Sequence, residues 1–284
     1  KTKINLGKDY DFYFTKKISI PVNKNNVLKN NIVSEKYNEL ILDTLELDLN
    51  TSQLEKKDIM ILDLLEHNDW ERPIYFAITI GSSGRSFLYL DKYFQLDGMV
   101  YKLSPINQPN NEEGEIGYVD TDFLYKMMME EYKWGNLNGD IYLDETNIRM
   151  TMNFRNNFSR LAKNLIIENK KELAKNTLDY AMELMPKEKV PFNYFVHPMI
   201  DSYYKINEMQ IAHQLVEDLY NIYSSELKYF FSFPRKKISG VQLEILKNLQ
   251  FYNELLKISI EYNHPKNEIL QADFEYFYQK FLSI

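Results

Sequence analysis

The sequence predicts an α+β fold in two parts: a mixed α/β module with a small sheet over residues 1–140, then an all-α stack of helical hairpins over residues 141–284. Up to about residue 133, alternating patterns typical of strands are mixed with single helical patterns. From Asp144 onward, one helical pattern follows another. The Gly- and Asn-rich stretch Trp134–Asp140 separates the mixed part from the helical part and is the predicted linker.

The first strands and the first helix are indicated by their periodicity. Lys17–Ile20 alternates like a half-buried strand, which Pro21 ends because proline cannot donate to a sheet ladder. Asp43–Leu49 alternates strictly, as an amphipathic strand does. Asp58–His67 carries apolar residues at helical spacing, which predicts a helix packed against a sheet.

Asp69–Ile80 is the most distinctive stretch of the first part. Trp70–Pro73 predicts a turn, because a residue before proline is pushed out of the helical region. Ile74–Ile80 is apolar and rich in strand-forming residues, so we expect a buried strand there. Gly81–Arg85 then predicts a hairpin turn, since it lacks the Lys-Ser/Thr of a phosphate-binding loop.

Four shorter elements complete the first part. The aromatic stretch Leu88–Phe94 predicts a short helix, and Gly98–Leu103 predicts a strand. Glu115–Val119 predicts another short strand. Asp120–Asp122 predicts a helix cap, because a carboxylate there can accept a free backbone N–H of a helix that runs to about Tyr132. We prefer this interpretation of the two aspartates to a catalytic carboxylate pair.

The second part is predicted to contain six helices with amphipathic spacing. They span residues 147–169, 171–185, 195–206, 208–224, 241–262 and 267–282. Pro234–Lys237 is expected to interrupt the chain between the fourth and the fifth helix. The last helix is strongly aromatic and is of the kind that covers the open end of a helical stack.

The first helical pair resembles a tetratricopeptide repeat. Ala162, Ala174, Ala181 and Pro186 occupy the small-residue and proline positions of that motif, where small side chains let two helices approach closely. The second pair is degenerate: Ala212 corresponds to Ala174, but Leu219 and Ser224 stand at the later positions. In such repeats the first helix of each pair lines a groove. This mapping places in the groove Asn156, Ser159 and Lys163 from the first pair and Tyr194, His197, Asp201 and Tyr204 from the second.

Composition excludes several classes of site. The net charge of −7 argues against a general nucleic-acid binder, which normally presents a basic face. The chain has no cysteine, which excludes disulfides, thiolate catalysis and cysteine-ligated zinc. Its four histidines are scattered and form no His-x-x-x-His pair, so no metal site is predicted. No motif assigns a cofactor or a catalytic residue.

One family resemblance is carried by six segments: Asn68–Ala77, Asp91–Gly98, Val119–Asp122, Lys133–Asn136, Tyr142–Glu145 and Arg155–Phe158. Together they resemble the C-terminal soluble region of large multi-spanning membrane proteins of Bacteroidetes. These proteins are of unknown function and are classed with glycosyltransferases akin to protein O-mannosyltransferases. The segments cover nearly the whole chain and occur in the family's order.

The resemblance implies an extracytoplasmic accessory domain, on the periplasmic side, of a membrane-anchored glycosyltransferase-like protein. The catalytic carboxylate of such transferases is expected in their spanning region, so we expect this chain to be non-catalytic alone while the longer protein transfers sugar. A start at Lys1 rather than Met fits a piece of such a protein. The implied partners are its own transmembrane region and an acceptor protein or peptide.

Two candidate binding regions and one alternative function remain open. Trp70 and Arg72 suit a sugar face or a lipid phosphate, although a buried Trp that anchors the strand is the preferred interpretation. The seven groove residues suit an extended peptide or a partner helix, against the interpretation that this face is solvated or is covered by the other domain. The alternative function is a free-standing peptide-binding scaffold unrelated to sugar transfer.

Overall fold

The computed structural model describes residues 2–5, 9–12, 15–51, 53–80, 88–108 and 115–283. The chain divides into two compact units, Lys1–Met127 and Met128–Ile284. The first contains small antiparallel sheets and short helices, and the second is a stack of helices, so the predicted α+β class is confirmed. The boundary predicted after residue 140 stays a prediction.

Seven strands in the described residues of the first unit form three antiparallel sheets. The strands are β1 Thr2–Asn5, β2 Asp9–Phe12, β3 Lys17–Pro21, β4 Thr44–Asp48, β5 Tyr75–Ala77, β6 Phe94–Asp97 and β7 Val100–Leu103. β1 pairs with β2, β3 pairs with β4, and β7 lies between β5 and β6. In β4, Leu45 and Leu47 are buried while their neighbours are exposed, as the strict alternation predicts.

Three α-helices accompany these strands: α1 Lys24–Lys29, α2 Lys56–Asn68 and α3 Thr121–Tyr125. Helix α2 begins at a reciprocal cap, in which the side chains of Glu55 and Asp58 each accept a backbone N–H from the other end of the first turn. Helix α3 begins after Asp120, whose carboxylate accepts the backbone N–H of Phe123 as predicted. A π-helical turn, Lys126–Glu131, follows α3.

The predicted buried strand Ile74–Ile80 is wrong in both length and burial. Only Tyr75–Ala77 is a strand, and its Tyr75 side chain is exposed. β5 is an edge strand that pairs with β7, and its ladder ends where Ala77 lies opposite Val100. Val100 is the first residue of β7, which follows β6 after the turn at Gly98. Among the described residues, no strand pairs with residues 78–80, which form a turn instead. The predicted hairpin turn at Gly81–Arg85 lies outside the described residues.

Two further predictions near this sheet are corrected. The predicted helix Leu88–Phe94 is a single 3₁₀ turn, Asp91–Tyr93, and Phe94 already begins β6. The predicted strand Glu115–Val119 is reduced to one parallel bridge, between Tyr118 and Gln95. Phe94 belongs to a strand because β6 and β7 form a hairpin that turns at Gly98, whereas segment 115–119 bridges to β6 only at Tyr118.

The helices of the second unit follow the predicted order. They are α4 Glu145–Ile167, α5 Lys171–Leu184, α6 His197–Lys205, α7 Met209–Phe231, α8 Arg235–Ile238, α9 Gln242–Glu261 and α10 Asn267–Leu282. Helix α7 extends seven residues beyond its predicted end at Ser224. The reason is that no helix breaker occurs until Pro234. Among the described residues, no helix has the length and apolarity needed to cross a bilayer.

Three helical hairpins share one type of turn. Asn169, Asn207 and Asn263 follow the first helix of each hairpin and have φ values of 60°, 68° and 50°. In each turn the next backbone N–H bonds back to a carbonyl of the helix, at 2.8 to 2.9 Å. The turns join α4 to α5, α6 to α7, and α9 to α10. Because asparagine tolerates the left-handed region, the same chain reversal is built three times.

Small and aromatic side chains fill the start of this stack. Ala162, Ala174 and Ala181 are fully buried, which lets α4 and α5 lie close together. The indole N–H of Trp134, from the predicted linker, donates to the carbonyl of Met128 at 3.0 Å. Its ring lies 5.3 Å from that of Phe158 on α4. The linker stretch is thus packed onto the helices of its own unit.

Candidate functional site

A layer of buried polar side chains covers one face of the β5-β7-β6 sheet. Successive strand residues point to opposite faces, and Gln95 lies opposite Lys102 in the ladder. Phe76, Phe94 and Leu103 point into the apolar core. The other face of the ladder carries Gln95, Asp97 and Lys102, although the Tyr118 ring itself belongs to the apolar core. What we name the polar layer consists of these three residues and of neighbouring Ser104, Tyr118 and Asp120. All six are buried.

Tyr118 connects the neutral members of the polar layer. Its hydroxyl donates to Gln95 Oε1 at 2.8 Å and lies 3.1 Å from Ser104 Oγ. Its backbone N–H donates to the carbonyl of Phe94, and its carbonyl accepts the N–H of Leu96. This close approach requires Gly117, because a Cβ there would lie 3.2 Å from the Phe94 oxygen and the backbone has φ +79°.

The charged pair of the polar layer is Asp97 and Lys102. Lys102 Nζ lies 4.0 Å from Asp97 Oδ2 and 5.0 Å from the ring centroid of Phe123, which covers it from α3. Burial lowers the pKa of Lys102, against the opposing effect of the Asp97 carboxylate. Burial likewise raises the pKa of Asp97. Both side chains are therefore drawn toward their neutral forms.

Asp120 fastens the polar layer to the 3₁₀ helix Glu35–Leu40. Its carboxylate accepts the hydroxyl of Ser34 at 2.5 Å and lies 2.6 Å from Lys36 Nζ. Asp122 lies 2.9 Å from the same Nζ. Burial alone would lower the pKa of Lys36, but the hydrogen bonds that Lys36 donates to Asp120 and Asp122 outweigh it and raise that pKa. Asp120 therefore caps α3 and also joins two distant segments.

The chemistry open to this layer is limited by its burial. A lysine whose pKa is lowered by burial is a candidate base or nucleophile. The Lys102 side chain is only 6% exposed, however, and Phe123 lies over it, so a substrate would reach it only after α3 moved. Within the described ranges, no three His, Asp or Glu side chains are placed to hold a metal ion. The contacts within the polar layer therefore hold the strands of this sheet in register.

The structure separates the two candidate binding residues of the first unit. Trp70 is buried in the apolar core, and its indole N–H donates to the Pro21 carbonyl at 3.2 Å. Arg72 is exposed, and its carbonyl accepts the side-chain amide of Asn68. The indole is thus placed as the strand anchor that was preferred above, and binding by Trp70 and Arg72 stays a prediction.

Sequence reasoning missed what holds Trp70 in place. Asp69 and Trp70 both have positive φ, 42° and 60°, which is a costly backbone for residues with side chains. The amides of Asn23 and Asn26 donate to Asp69, and that of Asn30 donates to the Trp70 carbonyl. The three asparagines lie along one side of α1. Their spacing of three and four residues was the available signal.

The seven predicted groove residues of the second unit are not equally accessible. Ser159, His197 and Tyr204 are buried. Asn156, Lys163 and Asp201 are half-buried, and Tyr194 is exposed. The structure brings the four from the 194–204 segment together along one face and leaves the three from α4 on another helix.

Helix α9 covers that α6 face, and we name the contact the α6–α9 seam. Its rings stack in two pairs, Tyr194 on Phe251 at 4.6 Å and Tyr204 on Tyr262 at 4.2 Å. The hydroxyl of Tyr262 also donates to Asp201 at 2.6 Å. The seam therefore joins two hairpins. The cover comes from α9 of the same unit, whereas the interpretation from the sequence was cover by the other domain; peptide binding by this face stays a prediction.

His197 lies at the centre of the seam. Its Nε2 is hydrogen-bonded to the Tyr223 hydroxyl at 2.9 Å, and its Nδ1 lies 3.5 Å from the Glu254 carboxylate. Burial lowers the pKa of His197 to about 4. The imidazole is therefore neutral at physiological pH.

Arg155 is the most deeply buried cation among the described residues of the stack, and no binding or catalytic role was predicted for it from the sequence. Its guanidinium donates to three backbone carbonyls, those of Met185, Val190 and Pro191, at 2.8 to 3.0 Å. It also lies 5.1 Å from the ring centroid of Phe192. Arg155 thus fastens the connection between the first two hairpins to α4.

These features define an α+β protein with a buried polar layer in its first unit and three helical hairpins in its second. A family model described as TMEM260-associated domain 2 matches residues 1–123, which contain the entire polar layer. Over this segment, which is less than half of the chain, the chain is similar to that domain. Neither the curated proteins nor the solved structures gave a match. The resemblances to Bacteroidetes proteins and to tetratricopeptide repeats stay predictions.

Proposed function

We propose that this chain is an accessory domain of a TMEM260-like membrane protein and that it binds an acceptor polypeptide without turning it over. The observation that carries the proposal is the match of residues 1–123 to TMEM260-associated domain 2. In the full-length protein, sugar transfer is performed by the membrane region. The accessory domain faces the periplasm and holds the acceptor near that region.

The chemistry of the first unit supports a non-catalytic role. Its most perturbed buried ion pair, Asp97 with Lys102, is covered by Phe123, and its Asp120 carboxylate is occupied by Ser34 and Lys36. These groups stabilise the fold through contacts that a catalytic group would need to release. A binding role requires no such release.

Turnover and acceptor binding are tested with the full-length protein and with this chain alone. We expect the purified chain to transfer no sugar. Deletion of residues 1–284 from the full-length protein is expected to raise the KM for acceptor polypeptide while kcat changes little, since positioning is lost and the reaction centre remains. Sugar transfer by the chain alone, or a deletion that leaves the KM unchanged, would contradict the proposal. Recovery of one unrelated complex from an envelope extract would favour a free-standing scaffold.

The periplasmic location is tested by thiol labelling, because the chain has no cysteine of its own. Tyr142 is 89% exposed, so Tyr142→Cys in the full-length protein adds an accessible thiol. We expect a membrane-impermeant maleimide to label this variant in intact cells more strongly than the unsubstituted protein. Labelling that requires cell lysis would place the chain on the cytoplasmic side and refute this part of the proposal.

A further inference from the structure

The connection between the second and third hairpins carries an exposed cluster of aromatic and basic residues. It lies at the end of α7 and around the short helix α8, next to the break predicted at Pro234. We name it the aromatic–basic patch and define it as Lys228, Tyr229, Phe230, Phe233, Lys236 and Lys237. None of these residues belongs to the polar layer or to the α6–α9 seam.

The three rings of the patch pack against one another. Tyr229 lies 4.9 Å from Phe233 and 5.8 Å from Phe230, measured between ring centroids. The Tyr229 side chain is nevertheless 61% exposed, and that of Leu243 at the start of α9 is 69% exposed. The rings thus form an apolar block that is only partly covered by its own unit.

The charge around this block is opposite to that of the whole chain. Residues 227–243 contain three lysines and one arginine and no acidic residue, whereas the complete chain carries −7. Within the described part of the chain, no carboxylate forms an ion pair with Lys228, Lys236 or Lys237. A further cation, Lys280, lies 5.1 Å from the ring centroid of Phe231. The patch is therefore a local positive field on an acidic protein.

We propose that the aromatic–basic patch docks on the headgroup layer of an anionic phospholipid bilayer. Aromatic side chains at the interface insert their rings between headgroups, and neighbouring lysines bind the lipid phosphates with their ammonium groups. A nucleic acid would need free ring faces on which bases could stack. In the patch the rings lie against each other, and this favours insertion as a block. The inference does not rest on the proposed function.

The electrostatic part is tested by sedimentation of the purified chain with lipid vesicles. Vesicles of phosphatidylcholine with phosphatidylglycerol are compared with vesicles of phosphatidylcholine alone. The double variant K236Q/K237Q should bind the anionic vesicles roughly 30-fold more weakly, from the attraction of each lysine near an anionic surface. The matched control is K56Q/K57Q, which removes the same charge from an exposed lysine pair at the start of α2.

The outcomes of this comparison are distinct. Weakened binding by K236Q/K237Q with unchanged binding by K56Q/K57Q supports the patch. Equal weakening by both variants would reveal general charge attraction, and no effect of either would show that the patch is not used; both results overturn the proposal. Binding of the chain to heparin or to single-stranded DNA as tightly as to anionic vesicles would overturn the assignment to lipid.

Insertion of the rings is tested separately with a tryptophan reporter. Tyr229→Trp places an indole in the patch, and Tyr142→Trp places one at an exposed site bordered by Asp140 and Asp144. On addition of anionic vesicles, we expect the emission of the Y229W chain to shift to shorter wavelength and that of the Y142W chain to stay unchanged. No shift for Y229W, or the same shift for both, refutes insertion at the patch.

Discussion

Replacement of Arg155 by methionine is expected to destabilise the helical stack by about 3 kcal/mol. The substitution leaves three carbonyl acceptors, on Met185, Val190 and Pro191, without the guanidinium that now binds them. A buried acceptor without a partner costs about 1 to 3 kcal/mol, so the gross loss is about 3 to 9 kcal/mol. Burial of the cation is itself unfavourable, since it lowers the pKa of Arg155 from 12.5 to about 10. Removing the cation recovers about 3 kcal/mol of that penalty, which leaves a net loss of about 0 to 6 kcal/mol, with a midpoint of about 3 kcal/mol.

The assay is urea unfolding followed by tryptophan fluorescence. Trp134 is a suitable probe because its ring lies 5.5 Å from Phe154, the residue before Arg155. Arg149→Met is the matched control, since Arg149 is exposed on the same helix, and it should change stability by less than about 0.5 kcal/mol. If R155M loses less than about 1 kcal/mol, or no more than R149M, the three carbonyl bonds are not what stabilises this connection.

Three further predictions concern the two units separately. Gly117→Ala should cost about 1 to 3 kcal/mol in urea unfolding, because its φ of +79° disfavours a side chain and the new Cβ would press on the Phe94 carbonyl. Lys102→Met should cost about 3 kcal/mol by leaving Asp97 buried without its cation, and the double variant with Asp97→Leu should recover most of this loss; additive losses would refute the pairing. His197 has a folded-state pKa of about 4 and an ordinary value of 6.5. Its contribution to the free energy of unfolding is therefore complete above pH 6.5 and is lost as the pH falls toward 4. Stability curves should therefore show the wild type losing roughly 3 kcal/mol more than H197Q across this window, and parallel curves would contradict the assignment.

The helices of the second unit were predictable because their signal is local. Amphipathic spacing within one segment decides whether it forms a helix and which face it buries. The bounds of α10 agree with the prediction at both ends. The end of α7 was missed because the repeat pattern suggested a stop at Ser224, although serine does not stop a helix.

The sheet around β6 was only partly predictable: its partner β7 is adjacent in sequence, but β5 and the bridge from Tyr118 come from more distant segments. Phe94–Asp97 alternates apolar and polar residues, which is typical of a strand with one face in water. Both faces are nevertheless buried, since Tyr118 and Phe123 cover Gln95 and Lys102. A polar face that is buried by segments some twenty residues away has no signature within the strand itself.

The prediction of a groove on α6 depended on how many helical hairpins were recognised in the sequence. When only two hairpins are recognised, no helix covers the α6 face that bears His197 and Tyr204, so this face is interpreted as a groove. A third hairpin, α9 with α10, brings Glu254 and Tyr262 onto that face. The polar spacing along α6 does not distinguish a peptide groove from such a seam, because both need hydrogen-bonding side chains every three to four residues.

The repeated feature of this stack is its turn, and this explains why the third hairpin escaped recognition. Buried small residues are replaceable when the facing helix compensates in volume: Ala181 in the first hairpin corresponds to Leu219 in the second. The left-handed turn residue has no such freedom, and asparagine occupies it in all three hairpins. These asparagines are 38 residues apart and then 56, because α8 and its flanking segments enter before the third hairpin. A search for a fixed period therefore fails here, whereas a search for asparagine after an amphipathic helix finds each reversal.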